Sequence, residues 1–370
     1  MNKSAIITKE NWKTLEKKTR QEIPDSCLFL DLRSEAEYAL GHISNAYSLP
    51  LLSNQERHEV GYTYKSQGKQ EAIELGLEIF AKKSHAFVKD FEKILAKQKN
   101  KSPDIIVYCW RGGMRSHSVA LFLSSMGYKI TLLEGGYKNY RKSILTEIKE
   151  KVSKHTFLVL HGLTGAGKTE LIKEVLTKNI IGCLDLEGLA KHRGSTFGDF
   201  NQTEEPATQQ QFENDLYCAY QTQKHHKVIL VEIEGRLGHA NVHPDLRKKI
   251  INSPMLLITR DYDERIKALV KEYTSKWSEK TNDLFLKRFS RIQEKISKED
   301  FEKIKRLAQE KNFTSLIDSL LKNHYDKIYN KSIKRHNRLI IKEFNISSQK
   351  QEAFHYIKDY VSLKKYDKAD

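Results

Sequence analysis

Short apolar runs alternate with longer stretches of helical periodicity from the N-terminal region up to Arg260. Leu28-Phe29-Leu30-Asp31-Leu32, Ile105-Ile106-Val107-Tyr108 and Ile130-Thr131-Leu132-Leu133 each read as a buried strand, the last ending at Gly135-Gly136. Between them, 71–97 and 116–126 read as helices, the second with Val119, Leu121, Phe122 and Leu123 as its apolar positions. Strands separated by helices imply βα units around a largely parallel sheet. The stretch from Tyr140 to His155 is charged, helical in pattern and without strand character, so a linker helix is placed at 143–155. Thr156-Phe157-Leu158-Val159-Leu160 then opens a second α/β unit, with further strands expected at 181–185, 228–232 and 255–259. After Arg260 the chain reads as helical and charged to its end. The expected fold class is therefore α/β, with one parallel-sheet domain over 1–142, a second over 156–260 and a helical C-terminal extension over 261–370.

Composition narrows this picture only modestly. At 370 residues and 39% hydrophobic, the chain is long enough for two or three domains and apolar enough to build cores. No internal repeat or low-complexity tract interrupts it, and it has only six prolines. No run approaches the roughly 18 apolar residues of a membrane span. The first residues contain no apolar core of a secretory signal, and four cysteines without a C-x-x-C pair do not make a disulfide scaffold or a zinc ribbon. These features predict a cytoplasmic protein with no membrane partner. Charge adds more: 64 Lys and Arg face 48 Asp and Glu, a net +16. A lysine-rich, solvated surface gives the same number, and so does a protein that binds a polyanion. The excess is uneven, with 27 basic against 18 acidic residues over 260–370 and 13 against 12 over 151–259.

Candidate chemistry first gathers at Cys109. It follows a buried strand directly, and Trp110, Arg111, Gly112, Gly113, Met114 and Arg115 separate it from the next helix. Glycines let successive backbone N–H groups converge on one point, and the helix N-terminus and two arginines add positive charge. Such a field favours thiolate over thiol and makes Cys109 a candidate nucleophile. The same cradle suits an anion on the sulfur: a persulfide, a perselenide or a phosphate. Cys27, Cys183 and Cys218 lack these surroundings and read as small core residues.

The second gathering is Gly162-Leu163-Thr164-Gly165-Ala166-Gly167-Lys168-Thr169, which fits G-x4-G-K-[ST] between a strand and a helix. The loop's N–H groups wrap a phosphate, Lys168 bridges its oxygens and the Thr169 hydroxyl is a Mg²⁺ ligand. Glu232 and Glu234 end a strand reading Val228-Ile229-Leu230-Val231-Glu232 and are candidates for Mg²⁺ or substrate. Asp185, His192, Arg193 and Ser195 lie after another expected strand, where α/β sites collect their residues. The segment 206–213 is a further candidate. The loop predicts phosphate or diphosphate binding; no adenine-binding signature accompanies it, and no tightly bound organic cofactor is expected.

Two resemblances carry these readings further. Asp31-Leu32-Arg33, Glu37, Gly41-His42-Ile43, the Cys109 loop and Leu133-Glu134-Gly135-Gly136-Tyr137 resemble a rhodanese homology domain over about 15–142. That likeness implies a rhodanese-like fold, a cysteine that carries sulfur or selenium, and structural or site roles for Asp31, Arg33, Glu37 and His42. Members with five residues between Cys and Arg, as between Cys109 and Arg115, include phosphatases, which usually have His before the Cys where this chain has Tyr108. With the phosphate loop, the Gly61–Lys65 segment, 192–195 and 231–238, the chain also resembles the tRNA 2-selenouridine synthase family. That resemblance implies a transferase acting on wobble 2-thiouridine of tRNA. By that likeness the sulfur is alkylated from geranyl diphosphate and geranylthio is then replaced by selenium from selenophosphate, with a selenophosphate-producing enzyme as a further partner. The basic region 261–370, which has no chemical motif of its own, is expected to grip the tRNA backbone. The residues alone leave open a persulfide-type sulfurtransferase or tRNA thiolase, a phosphatase fused to a P-loop domain, and a non-catalytic RNA-binding module.

Overall fold

A computed structural model describes residues 15–364 apart from 25, 101–102, 179–180, 195–196, 198–199, 201–203, 224 and 233–235. Ser195 and Glu234 therefore lie outside the described residues. The chain forms two compact units, Met1–Glu147 and Ile148–Asp370.

In the first unit the elements run β1 (Lys17–Lys18), β2 (Leu28–Asp31), α1 (Glu35–Leu40), β3 (Tyr47–Ser48), α2 (Asn54–Ser66), α3 (Lys69–Ala96), β4 (Ile105–Tyr108), α4 (Met114–Ser125), β5 (Ile130–Leu133) and α5 (Gly136–Lys154). The division between the units falls inside α5. The strands pair in parallel in the order β1-β5-β4-β2-β3. Every residue of β2, β4 and β5 is buried, which is why these strands read as unbroken apolar runs. Asp31 of β2 stands opposite Tyr108 of β4, so the chain leaves both strands at the same sheet end. Cys109 and Arg33 are brought together there. α1 and α2 each begin with a capping box, Ser34 with Glu37 and Ser53 with Glu56. The α2–α3 hairpin is an insertion between β3 and β4; it places Phe87, Phe91 and Ile94 in the core.

The second unit begins with β6 (Thr156–His161) and α6 (Lys168–Lys178), followed by β7 (Gly182–Leu184), α7 (Leu186–Ala190), α8 (Gln209–Gln223) and β8 (Val228–Glu232). A short antiparallel pair, β9 (Arg236–Leu237) and β10 (Ala240–Asn241), precedes α9 (Pro244–Ile251) and β11 (Met255–Thr259). Helices α10 (Tyr262–Thr274), α11 (Glu279–Phe289), α12 (Lys298–Gln309), α13 (Phe313–Leu320) and α14 (Asp326–His336) come next, then β12 (Ile340–Asn345) and α15 (Ile346–Lys364). The sheet is parallel in the order β12-β11-β6-β8-β7. Its central strand β6 runs into the glycine loop, and Leu160 near its end is in register with Glu232 of β8.

The C-terminal region is mostly helical, as its pattern predicts, but it also supplies a strand. β12 escapes the hydrophobic pattern because it is an edge strand: only Phe344 is buried, while Ile341, Lys342 and Glu343 are exposed. Residues 262–336 are thus an insertion between two neighbouring strands of one sheet. With Phe197 and Phe200 they close an apolar cluster that includes Phe285, Phe289, Ile304 and Leu320. Residues 340–364 return to the sheet, where Phe344, Ile346, Phe354, Ile357 and Val361 complete the core around the phosphate-loop helix.

Candidate functional sites

Cys109 is 3% exposed, and its Sγ lies 3.3 Å from Ser116 Oγ. Ser116 in turn donates to the Gly113 carbonyl at 3.0 Å, which closes the loop against the first turn of α4. The N–H groups of Arg111 through Ser116 have no hydrogen-bond partner among the described residues. They are an unbroken run of donors in the loop and first helical turn that follow the cysteine, the groups from which an anion cradle is built. The glycine turn after β5 supports the loop from its other side. Tyr137 N–H donates to the Cys109 carbonyl and Lys138 N–H to that of Trp110, both at 2.9 Å. Gly136, at φ +60°, packs so closely on the Cys109 carbonyl and the Gly112 nitrogen that a Cβ would collide with both.

The other rhodanese-motif residues sit around this loop. Asp31 and Arg33 are 0% and 1% exposed and ion-paired at 2.5 Å. Arg33 also donates to the Gly41 carbonyl at 2.7 Å and stacks on the Tyr137 ring, its guanidinium carbon 3.7 Å from the centroid. This pair ties β2 to the glycine turn. Burial pushes the Glu37 carboxyl up, but its hydrogen bond and proximity to Arg115 prevail, leaving it below the ordinary carboxylate range. Arg115 is thereby anchored on Glu37 at 2.9 Å, with Arg57 on the same carboxylate at 3.0 Å. Of the two loop arginines, only Arg111 is exposed. His42 stacks on Tyr38, ring centroids 3.7 Å apart, and its Nδ1 meets the Tyr38 carbonyl at 3.0 Å. Cys183 is buried as a core residue should be, whereas Cys27 and Cys218 are only half-buried: Cys27 precedes β2 and Cys218 lies on a partly exposed face of α8.

In the second unit the phosphate loop folds as its motif predicts. Gly162, Gly165 and Gly167 all have positive φ. At Gly167, φ +88° makes glycine the residue the turn requires, and the Ile346 and Arg260 side chains lie where a Cβ would point. Ala166 is buried and its N–H donates to the Leu163 carbonyl at 3.2 Å. Lys168 Nζ donates to the carbonyls of Gly162 and Leu163 at 3.2 and 3.3 Å. Thr169 Oγ1 donates to Glu187 Oε2 at 3.1 Å, and Glu187 N–H contacts Glu232 Oε1 at 3.4 Å. The Thr169 hydroxyl and the Glu187 carboxylate supply two oxygen donors of the kind Mg²⁺ takes together with water and phosphate oxygens, whereas Glu232 is fully buried and meets the Glu187 backbone outside the lining of the cleft over the loop. Asp185 is engaged differently: it caps α7, accepting from Gly188 N–H at 2.8 Å. His192 is buried and its Nδ1 accepts from Gly194 N–H at 3.1 Å. In the 206–213 segment, Gln209 holds the short β10 strand through paired bonds with Asn241.

A cleft of about 520 Å³ lies over the loop. Lys168, Lys173, Arg193, Arg260 and Lys271 line it, outnumbering Glu170, Glu187 and Glu272. Arg260 pairs with Glu170 at 2.6 Å and donates to the Gly165 carbonyl at 3.4 Å; Arg265 donates to the Thr164 carbonyl at 3.2 Å. Sequence reasoning missed Arg260 as a site residue although it follows β11 directly, a strand-end position where α/β sites recruit side chains. It also missed Tyr273 and Tyr329, which come from the helical insertion and carry no local signal. A narrow apolar pocket of about 40 Å³ adjoins the cleft, lined by Phe197, Phe200, Trp277, Phe285, Leu316 and Leu320 among others. The two cavities share Thr164, Leu269 and Tyr273. Thr164 Oγ1 and Trp277 Nε1 are buried there without a hydrogen-bond partner among the described residues.

Comparison with known proteins covers both units. Residues 155–363 match the family described as the tRNA 2-selenouridine synthase AAA domain, and residues 9–143 match the rhodanese-like domain. A tRNA 2-selenouridine synthase of Sulfurovum sp. (strain NBC37-1) is 31% identical over 358 residues, 90% of this chain and 94% of the relative. That of Marinobacter nauticus is 30% identical over 328 residues, covering 81% and 86% of the two chains. One from Cupriavidus necator is 35% identical over 254 residues, 66% of this chain and 65% of the relative.

Proposed function

Because this chain belongs to the tRNA 2-selenouridine synthase family, we propose that it modifies wobble 2-thiouridine of tRNA in two steps, one in each unit. In the first, the thiocarbonyl sulfur attacks the allylic carbon of geranyl diphosphate; the C–O bond breaks and diphosphate leaves with the electron pair. In the second, at the Cys109 loop, the selenium of selenophosphate attacks the base carbon and geranylthiolate leaves with the C–S electron pair; water then cleaves the P–Se bond and releases phosphate. Alkylation makes the second step feasible, because a thiocarbonyl sulfur is a poor leaving group and geranylthiolate is a better one.

The observation that carries this reading is the junction of the cationic cleft with the aromatic pocket through Thr164, Leu269 and Tyr273. A prenyl diphosphate has the same two halves: a dianionic or trianionic head for the glycine loop and an alkyl tail for the aromatic side chains. Lys168, Arg193 and Arg260, which line the cleft, would with the loop N–H groups stabilise charge that develops on the departing diphosphate. Mg²⁺ held by Thr169 and Glu187 would supply further neutralisation of that charge. The tail needs more room than about 40 Å³, the space of a few waters, so its entry requires a shift of side chains such as Trp277 or Phe200. In the other unit, the donor run at Arg111–Ser116 suits an anionic selenophosphate held beside Cys109. The ion pair of Arg115 with Glu37 weighs against a phosphatase, which needs that arginine for its substrate.

Nucleoside mass analysis of 2-thiouridine tRNA incubated with geranyl diphosphate and selenophosphate separates the steps. Cys109→Ala should accumulate geranylthiouridine and form no selenouridine. Lys168→Ala should slow geranylation by about 10²-fold or more. Loss of both steps in Cys109→Ala, or normal geranylation by Lys168→Ala, would overturn the division of labour.

A further inference from the structure

We propose that an apolar pocket beside the Cys109 loop receives the alkyl chain of the S-geranylated tRNA during the selenium step. This chain site is distinct from the aromatic pocket of the P-loop unit, and the proposal rests on the two-step reading above. The pocket has a volume of about 360 Å³ and lies among α2, α3 and α4. Val60 and Tyr64 of α2, Ile73 and Leu77 of α3, and Met114 and Val119 of α4 form much of its wall. Tyr64, Leu77 and Met114 are 59%, 58% and 42% exposed, so three large apolar side chains ring one opening. Such a concentration of exposed apolar surface marks a binding site more often than chance.

Position and charge point to the occupant. Met114 and Arg115 belong to the pocket wall and also form the first turn of the helix whose Ser116 touches the Cys109 sulfur. For selenium to replace the geranylthio group, the base carbon must reach this loop, and the chain on its sulfur must then lie close by. Among the described residues the lining holds no carboxylate, and Lys69 adds a positive charge beside the Glu37-paired Arg115, which suits an alkyl chain carried on a polyanion. Gly76 also lines the pocket, inside helix α3, where glycine is unfavourable. A Cβ built there meets nothing within 4 Å, so space is kept open at this position.

The test uses the full chain, selenophosphate, and anticodon stem-loop RNA carrying either S-geranyl- or S-methyl-2-thiouridine. The wild-type protein should convert the geranyl substrate with a kcat/KM about tenfold or more above the methyl substrate, the scale of burying a few methylenes. Gly76→Phe, which fills the pocket, should erase that preference mainly through KM. It should leave conversion of the methyl substrate and geranylation of 2-thiouridine unchanged. Leu77→Ser, at a position exposed enough to tolerate polarity, should reduce the preference in the same direction. Equal conversion of both substrates by the wild type overturns the pocket's role, as does a preference retained in both variants. Equal loss of both substrates in both variants would assign the pocket to folding instead. If the wild type converts neither alkylated RNA, the two-step reading itself fails and takes the pocket's role with it.

Discussion

Asp31 and Arg33 show how a motif residue can act without touching substrate. Both are fully buried, and the pair joins β2, the loop at Gly41 and the Tyr137 ring beneath the Cys109 loop. Removing one member leaves an uncompensated charge in the core, so Asp31→Ala should destabilise the first unit by about 3–5 kcal/mol. Denaturant unfolding of the full chain, followed by a probe in that unit, checks this; a loss below about 1 kcal/mol would mean water reaches the pair. Glu37 has a double use, as the capping residue of α1 and as the anchor of Arg115. The motif signal at these positions was legible in the sequence. Their division into scaffold and reacting group was not, because it depends on burial and on pairing with Arg115, 78 residues away.

At the scale of elements, the helical insertion and the returning strand divide the C-terminal region into parts with different duties. β12 and α15 are integral to the P-loop sheet, so truncation after His336 should expose its core and unfold the second unit, not merely weaken RNA binding. The far-ultraviolet circular dichroism and melting transition of the truncated chain decide this. RNA contact is better sought on α14, where Lys327, Lys331, Lys334 and Arg335 are all exposed. Reversing Lys327 and Lys331 to Glu should weaken tRNA binding and flatten the slope of log K against log salt by about one for each phosphate no longer neutralised. An unchanged slope would make this face an ordinary solvated one. The basic excess was visible in the sequence; the helix that displays a compact part of it was identified only by folding.

At the scale of the whole molecule, three buried or half-buried histidines of the second unit couple pH to the fold on the acid side of neutrality. Burial lowers His155 and His324, and burial with the nearby Lys168 charge lowers His161 from 6.5 to about 4. Well above pH 6.5 these imidazoles are neutral in both folded and unfolded chains and their contribution to stability is complete. Between pH 6.5 and about 4 the unfolded chain binds protons that the folded His161 refuses, so stability falls as pH falls through this window. The melting temperature of the second unit should therefore drop from about pH 7.5 to about pH 5, and by less in His161→Gln. An equal drop in the variant would place the acid sensitivity elsewhere.

The sequence by itself determined the two parallel-sheet units, both glycine loops and the positions along the chain of the strands that are buried on both faces. Those features are local: an apolar run of roughly four to six residues must be covered by helices, and a glycine at positive φ is required by the turn it makes. Tertiary structure alone decided which strand closes the P-loop sheet, because an edge strand such as Ile340–Asn345 hides its partner from the pattern. It also decided where the apolar pockets lie. Their walls come from side chains distant in sequence, Thr164 with Phe197 and Trp277 in one unit and Tyr64 with Met114 in the other, whose adjacency is a property of packing.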